Sequence, residues 1–367
     1  MTFYRHFCER RDFHTAVITN ATSVVQQHYP FLILPNSTIF DRLARTRFSR
    51  WVHGVHLRFG GRGVSPEVDT FVRDFRPDAI FTVAGAWSPI ARLAERVATR
   101  FQLPLIGSFN DWWYYNQIYH PFFGNSLAKQ FLDFYQRCDL AICTSEGMQD
   151  ALGSHRNSII LYPTGAEHQP SCSFKPPSGR SLTIGFGGNL GDWYGQMLES
   201  IVVEVENRMP GHFQFQLFGS RPSWSRIFGT KVVRDGVFHG QVDFETLTSA
   251  MRNCDILLLP MGFDPAVRQI ESTSFKTKFL DYLTFEKPIL VWGPEYCSAV
   301  RTAREFDSAE VYTREDPAGA ANVLMNLKAN PARQSLLVAN ARLMYADRFN
   351  PDKLHSQLVS RIKGLLS

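Results

Sequence analysis

Short runs of consecutive apolar residues alternate with stretches that are apolar every third or fourth position. In the first half the runs fall at 79–83, 105–107, 140–144 and 159–161; in the second at 182–186, 213–218, 255–259, 288–292 and 309–312. Predominantly apolar runs of this length read as strands buried on both faces, and the intervening periodicity reads as covering helices. The spacing predicts helices over 65–75, 88–100, 126–137 and 146–152, then over 192–207, 243–252, 274–285, 296–305, 317–329, 332–347 and 351–366. A further strand is expected near 232–238. The chain opens with a helical pattern over 3–11, followed at once by a strand over 15–19. Pro66 and Pro317, behind Ser65 and Asp316, mark helix starts. The fold class is therefore α/β, with parallel sheets in both halves.

Residues 163–180, PTGAEHQPSCSFKPPSGR, are proline-rich and carry no periodicity, which marks a linker. We expect domains over 1–165 and 166–345, followed by a terminal helical segment over 346–367. A length of 367 residues with 44% hydrophobic content supplies two cores of ordinary size. The formal charge of +5 is modest, and no nucleic-acid recognition motif occurs, so nucleic acid is not an expected partner. The six cysteines contain no C-x-x-C, which points to reduced thiols in a cytoplasmic protein, without a zinc site or a disulfide framework. The start, MTFYRHFCERRDF, is too charged for a signal peptide, and no apolar run reaches the ~18–20 residues that span a bilayer.

Chemistry concentrates in a few places. In SFKTKFLDYLTFEKP, Lys278 and Asp281 stand three apart, on one face near the start of a helix for which Ser274 is the expected N-cap. The segment follows the strand 255–259, which puts a cation and a carboxylate beyond the carboxyl ends of parallel strands, where open α/β sheets bind ligands. Alone, a K-x-x-D is usually a solvated ion pair. Gly185-Phe186-Gly187-Gly188-Asn189-Leu190-Gly191 follows a strand and precedes a helix. It lacks the third glycine of the dinucleotide fingerprint, yet its amides and the helix N-terminus can face a pyrophosphate. The bland reading is a tight turn. Phe109 to Asn116 interleaves aromatic rings with amides, which suits sugar stacking, and Asp111 could orient an acceptor hydroxyl; loop packing explains the same rings. Arg42, Arg45, Arg47, Arg50, Arg58 and Arg62 face a single acid, Asp41, and interleave with Phe48, Trp51 and Phe59. That mixture suits an anionic membrane surface or a lipid-diphosphate acceptor, or else a solvated face with snorkelling arginines.

These pieces, in this order, resemble the GT-B glycosyltransferases, in particular family 4 (group 1). The strand Cys254 to Pro260, then Ser274, Lys278, Asp281-Tyr282-Leu283 and Lys287-Pro288, resemble the family's donor-site segment. The glycine stretch, Leu217-Phe218-Gly219, Pro77 to Ile80 and Cys138 to Met148 resemble other strands of the two halves. The resemblance implies two Rossmann-like domains facing across a cleft, a last helix returning to the first domain, and a nucleotide-diphosphate sugar as donor with no other cofactor. It implies transfer to a hydroxyl of a saccharide or lipid-linked acceptor, with retention, in surface polysaccharide or glycolipid assembly. The residues themselves, through Arg42, Arg45, Arg47 and Arg50, add the expectation of a cytoplasmic protein in peripheral contact with the inner membrane face. The resemblance also implies that the usual first strand is missing. The absence of Asp-x-Asp favours a metal-independent site. By this resemblance the donor would be held by Gly187, Gly188, Asn189, Arg221, Ser274, Lys278 and Asp281, with Asp111 and Glu271 as catalytic candidates. Two departures stand out. Thr273 occupies the place of the family's first glutamate, with Glu271 two residues away. The Arg and Lys that normally follow the glycine turn are also absent, leaving phosphate charge to Arg221, Lys278 or Arg268. A sugar-nucleotide epimerase of the same fold and a non-catalytic two-lobed scaffold are the competing readings.

Overall fold

The structure is a computed structural model and describes residues 5–10, 12–19, 29–34, 42–43, 45–60, 63–84, 89–112, 119–164, 174–179, 181–220 and 222–367. It divides into two compact units. Unit 1 comprises Met1–Pro163, Thr273–Phe275 and Asp352–Ser367, and unit 2 comprises Thr164–Ser272 and Lys276–Pro351.

Unit 1 holds a short parallel pair, β1 (Val17–Thr19) and β2 (Phe31–Ile33), and a four-stranded parallel sheet. The sheet runs β3 (Ile80–Val83), β4 (Leu105–Phe109), β5 (Leu140–Cys143), β6 (Ser158–Ile160). Every residue of β4 and β5 is buried, Ser108 included, as strands covered on both faces require. Ser65 and Ser145 cap the helices Pro66–Phe75 and Glu146–Leu152 by accepting from Val68 N–H and Met148 N–H. At the amino end a π-helical stretch, Arg5–Glu9, lies within the helix expected over 3–11, of which 3, 4 and 11 are outside the described residues, and β1 is the first described strand. The terminal helix Pro351–Leu366 belongs almost entirely to this unit: its His355 is buried, stacks on His6 and bonds Asp12 Oδ2 at 2.9 Å.

Unit 2 holds the strands β7 (Leu182–Asn189), β8 (Phe213–Ser220), β9 (Phe238–Gly240), β10 (Ile256–Pro260), β11 (Ile289–Trp292) and β12 (Glu310–Tyr312). They form one six-stranded all-parallel sheet in the order β12-β11-β10-β7-β8-β9. Numbered within the unit this is 3-2-1-4-5-6, the doubly wound Rossmann order, whose direction reverses between β7 and β10. Ile256 to Leu259 and Ile289 to Val291 are completely buried. Trp292 closes the core and donates its indole N–H to Arg314 C=O at 2.8 Å.

Three expectations are corrected. The strand near 232–238 is a helix, Arg226–Arg234, followed by the short β9. Ser225 caps that helix, and Phe228 and Val232, four apart, share its buried face, so capping and helical spacing outweigh the β-branched Val232-Val233 pair. The helix expected over 274–285 is shorter, Thr277–Leu283, with Lys276 rather than Ser274 at its N-cap and no side-chain cap there, and a separate short helix, Arg268–Thr273, precedes it. The glycines read as a turn are strand instead. β7 runs on through Gly187 and Gly188 to Asn189, paired residue by residue with β8, and the chain turns only at Leu190-Gly191.

Candidate functional site

The carboxyl end of β7 forms the floor of the candidate site. Gly188 and Gly219 stand opposite one another in the β7–β8 ladder, both with positive φ, at 142° and 151°. A Cβ on Gly219 would lie 1.8 Å from Gly188 C=O, and one on Gly188 would lie 2.6 Å from Lys278 Cε. Only glycines allow this close approach. Gly187 N–H donates to the buried Tyr282 hydroxyl at 3.0 Å, which ties β7 to the helix Thr277–Leu283. Asn189 is exposed at the strand end, and its Oδ1 accepts from Gly191 N–H at 3.0 Å. The helix Asp192–Arg208 begins there without a side-chain cap. The amides of Gly187 and Gly191 thus already have partners within the protein. The switch point offers cations more than it offers a cradle of amides.

Those cations come from the far side. Lys278, partly buried, points back to the end of β7, with its Nζ 3.9 Å from the centre of the Phe186 ring and 4.5 Å from that of Tyr194. Lys276 lies 5.7 Å from the Trp193 ring centre and 3.4 Å from Glu271 Oε2. Burial first, then the neighbouring Lys276 charge, push the Lys278 ammonium down to about 7, against the opposing pull of Asp281 and Glu271. Aromatic faces partly compensate a desolvated cation, but a dry environment still favours the neutral amine. Lys278 is thereby poised between neutral and charged near neutral pH.

Glu271 is fully buried at the base of the site. Its Oε1 accepts from Gly262 N–H at 3.4 Å, and its Oε2 faces Lys276 Nζ and, at 3.7 Å, Cys297 Sγ. Burial raises the carboxyl above the ordinary range, and Lys276 opposes the shift. In this setting Glu271 positions Lys276.

The predicted residues sort as follows. Gly187, Gly188, Lys278 and Asp281 come together at the β7 end: Asp281 shares a helix turn with Lys278 and acts on its charge. Glu271 joins them through Lys276. Asn189 stands at the strand end with its side chain committed to Gly191. Arg268 is stacked over Tyr296 at 4.8 Å. Ser274 is buried and belongs with Thr273 and Phe275 to unit 1. Asp111 is exposed in unit 1, just past β4. Arg221, like 113–116 of the aromatic stretch, lies outside the described residues. Phe109 is a core residue, packed against Phe131, Phe134 and Tyr135, and Trp112 packs edge-on to Phe131, so these two rings serve the fold. Sequence reasoning missed Lys276 and the Phe186, Trp193 and Tyr194 surfaces. Two lysines two positions apart, opposite a Trp-Tyr pair that opens a helix, were the available signal.

No protein-family model matches the sequence, and no curated protein matches it. Solved structures do match. The chain is similar to sucrose-phosphate synthase from Thermosynechococcus elongatus, with TM-score 0.64 and 14% identity over 96% of this chain and 89% of that one. It is similar to Anabaena Alr3699/HepE in complex with UDP and glucose, with TM-score 0.61 and 14% identity over 99% and 94%. A glycosyltransferase from Rickettsia africae ESF-5 matches with TM-score 0.60 and 10% identity over 96% and 90%. At these identities the likeness establishes the fold: the chain has the GT-B architecture of two Rossmann-like α/β domains.

Proposed function

We propose that this protein is a glycosyltransferase of the family 4 type, which binds a nucleoside-diphosphate sugar at the β7–β10 switch point of unit 2 and passes the sugar to a hydroxyl acceptor. The observation that carries the proposal is Lys278. A lysine held against two aromatic faces at the carboxyl end of the first strand of a Rossmann sheet, with Asp281 one helix turn behind, is arranged for an anion next to a polyol. On binding, the ammonium would gain the diphosphate as partner, and Asp281 would accept from the ribose hydroxyls. Lys276 would add a second charge in place of the family's absent Arg and Lys. Catalysis on this reading is chiefly electrostatic: fixed cations stabilise the leaving diphosphate as the glycosidic bond breaks. HepE has been captured with UDP, glucose and UDP-glucose, which makes UDP-glucose the first donor to try.

The acceptor we propose is a saccharide or lipid-linked saccharide in surface polysaccharide or glycolipid assembly, with the enzyme at the inner membrane face and retention at the anomeric carbon. Release of nucleoside diphosphate from UDP-, GDP-, ADP- and dTDP-sugars, measured with EDTA present, tests both donor use and metal independence. Hydrolysis of at least one donor, reduced in Lys278→Met and Asp281→Ala, supports the reading. Inertness toward all four, with a folded protein, overturns it.

A further inference from the structure

The helix Ser49–Phe59 in unit 1 carries an apolar stripe on its solvent side. Phe48, Trp51, Val55 and Phe59, spaced three, four and four apart, form one face of the helix and its entry turn and are 55%, 41%, 48% and 67% exposed. Phe122, 73% exposed, extends the patch, with its ring 5.6 Å from that of Trp51. The opposite face is the packed one. Gly54 and Leu57 are buried, and a Cβ on Gly54 would lie 2.1 Å from the Phe123 ring, so the helix cannot roll its stripe inward. Trp51 is also held by stacking on His120 at 4.1 Å. The rim is basic. Arg42, Arg45, Arg47 and Arg50 are exposed, Arg47 lies over the Phe48 ring and Arg58 over the Phe59 ring, each at 4.9 Å, and the sequence from 42 to 60 has no acidic residue.

A contiguous exposed patch of large apolar side chains is unusual on a soluble protein and marks an interaction surface. Here the charge complementarity selects the occupant. Aromatic rings flanked by arginines, with no acid from 42 to 60, match the boundary between anionic headgroups and acyl chains. A second copy of this chain would bring like charges together, and a nucleic acid would leave Val55 and Phe59 without partners. No helix among the described residues is long and apolar enough to cross a membrane, so the contact is in-plane.

We propose that this helix lies in the surface of an anionic bilayer, with Phe59 and Phe122 inserted and Arg42, Arg45, Arg47 and Arg50 on lipid phosphates. This holds whether or not the donor-site reading is right, because it concerns binding alone. The test is cosedimentation of the full chain with phosphatidylcholine vesicles, with and without phosphatidylglycerol, across a salt series. The expected result is binding to the anionic vesicles only. Each arginine is worth roughly fivefold near such a surface, so replacing the four by glutamine should lower partitioning about several hundredfold at low salt. Phe59→Ser with Phe122→Ser, at positions too exposed to carry the fold, should lower it by at least about tenfold while circular dichroism is unchanged. Wild-type protein left in the supernatant at low salt overturns the proposal. So does equal binding by the double serine variant, which would reduce the patch to electrostatics, or displacement of bound protein by single-stranded RNA, which would assign the face to nucleic acid.

Discussion

Lys278 makes a quantitative prediction about pH. In the free protein its ammonium is pushed down to about 7 by burial against Phe186 and Tyr194 and by the Lys276 charge. A diphosphate needs the charged form. At pH 7 about half the molecules hold it, and at pH 9 only about one in a hundred, so affinity should fall roughly 50-fold between those values, or about 2 kcal/mol. The sign follows from the depressed value: protonation is unfavourable in the free protein above about 7, and the ligand must supply that cost. The nucleotide's terminal phosphate, with a pKa of about 6, is already ionised over this range and contributes little. Isothermal titration with UDP between pH 7 and 9, in two buffers of different ionisation enthalpy, reads both the affinity and the proton uptake, which should approach one per site above about pH 8. Lys278→Met should bind weakly at all pH values with no uptake. A flat wild-type profile from pH 7 to 9 would refute the assignment of Lys278 as the phosphate cation.

Glu271→Gln removes a carboxylate that helps Lys278 stay charged, so the midpoint of that profile should move to lower pH. Gly219→Ala sets a methyl group 1.8 Å from Gly188 C=O at a φ of 151° and should cost about 3 kcal/mol of stability, seen as a lower midpoint in urea. Unchanged stability would show that the β7–β8 ends are looser than described. Cys138, Cys143, Cys254 and Cys297 are buried free thiols, so Ellman's reagent should titrate at most two of the six cysteines quickly in the native protein and all six in guanidinium.

Much of unit 2 was legible because parallel strands covered on both sides have no polar face: Ile256 to Leu259 and Ile289 to Trp292 can be little else. Asp281 and Lys278 were legible from spacing and from the strand before them. The helix Arg226–Arg234 was not, because Val232-Val233 favours a strand locally and only Ser225 and the spacing of Phe228 to Val232 argue otherwise. The break between Thr273 and Thr277 has no glycine or proline to announce it. The roles of Glu271 and Lys276 depend on which groups the fold brings around them, Gly262, Cys297 and Trp193, and no local pattern carries that. Phe122 joins Trp51 across some seventy residues of sequence, a juxtaposition set by how Gly54 packs on Phe123.

A nucleoside-diphosphate site at the β7–β10 switch point of unit 2 is open to a simple test: titration of the full chain at pH 7 with UDP, GDP, ADP and dTDP, alongside Asp281→Ala. One saturable site is expected for at least one of the four. In the variant, affinity should fall by about 1.5–3 kcal/mol, the worth of a charge-assisted hydrogen bond to the ribose. Absence of binding by all four, or equal affinity in wild type and Asp281→Ala, would contradict the assignment of that site.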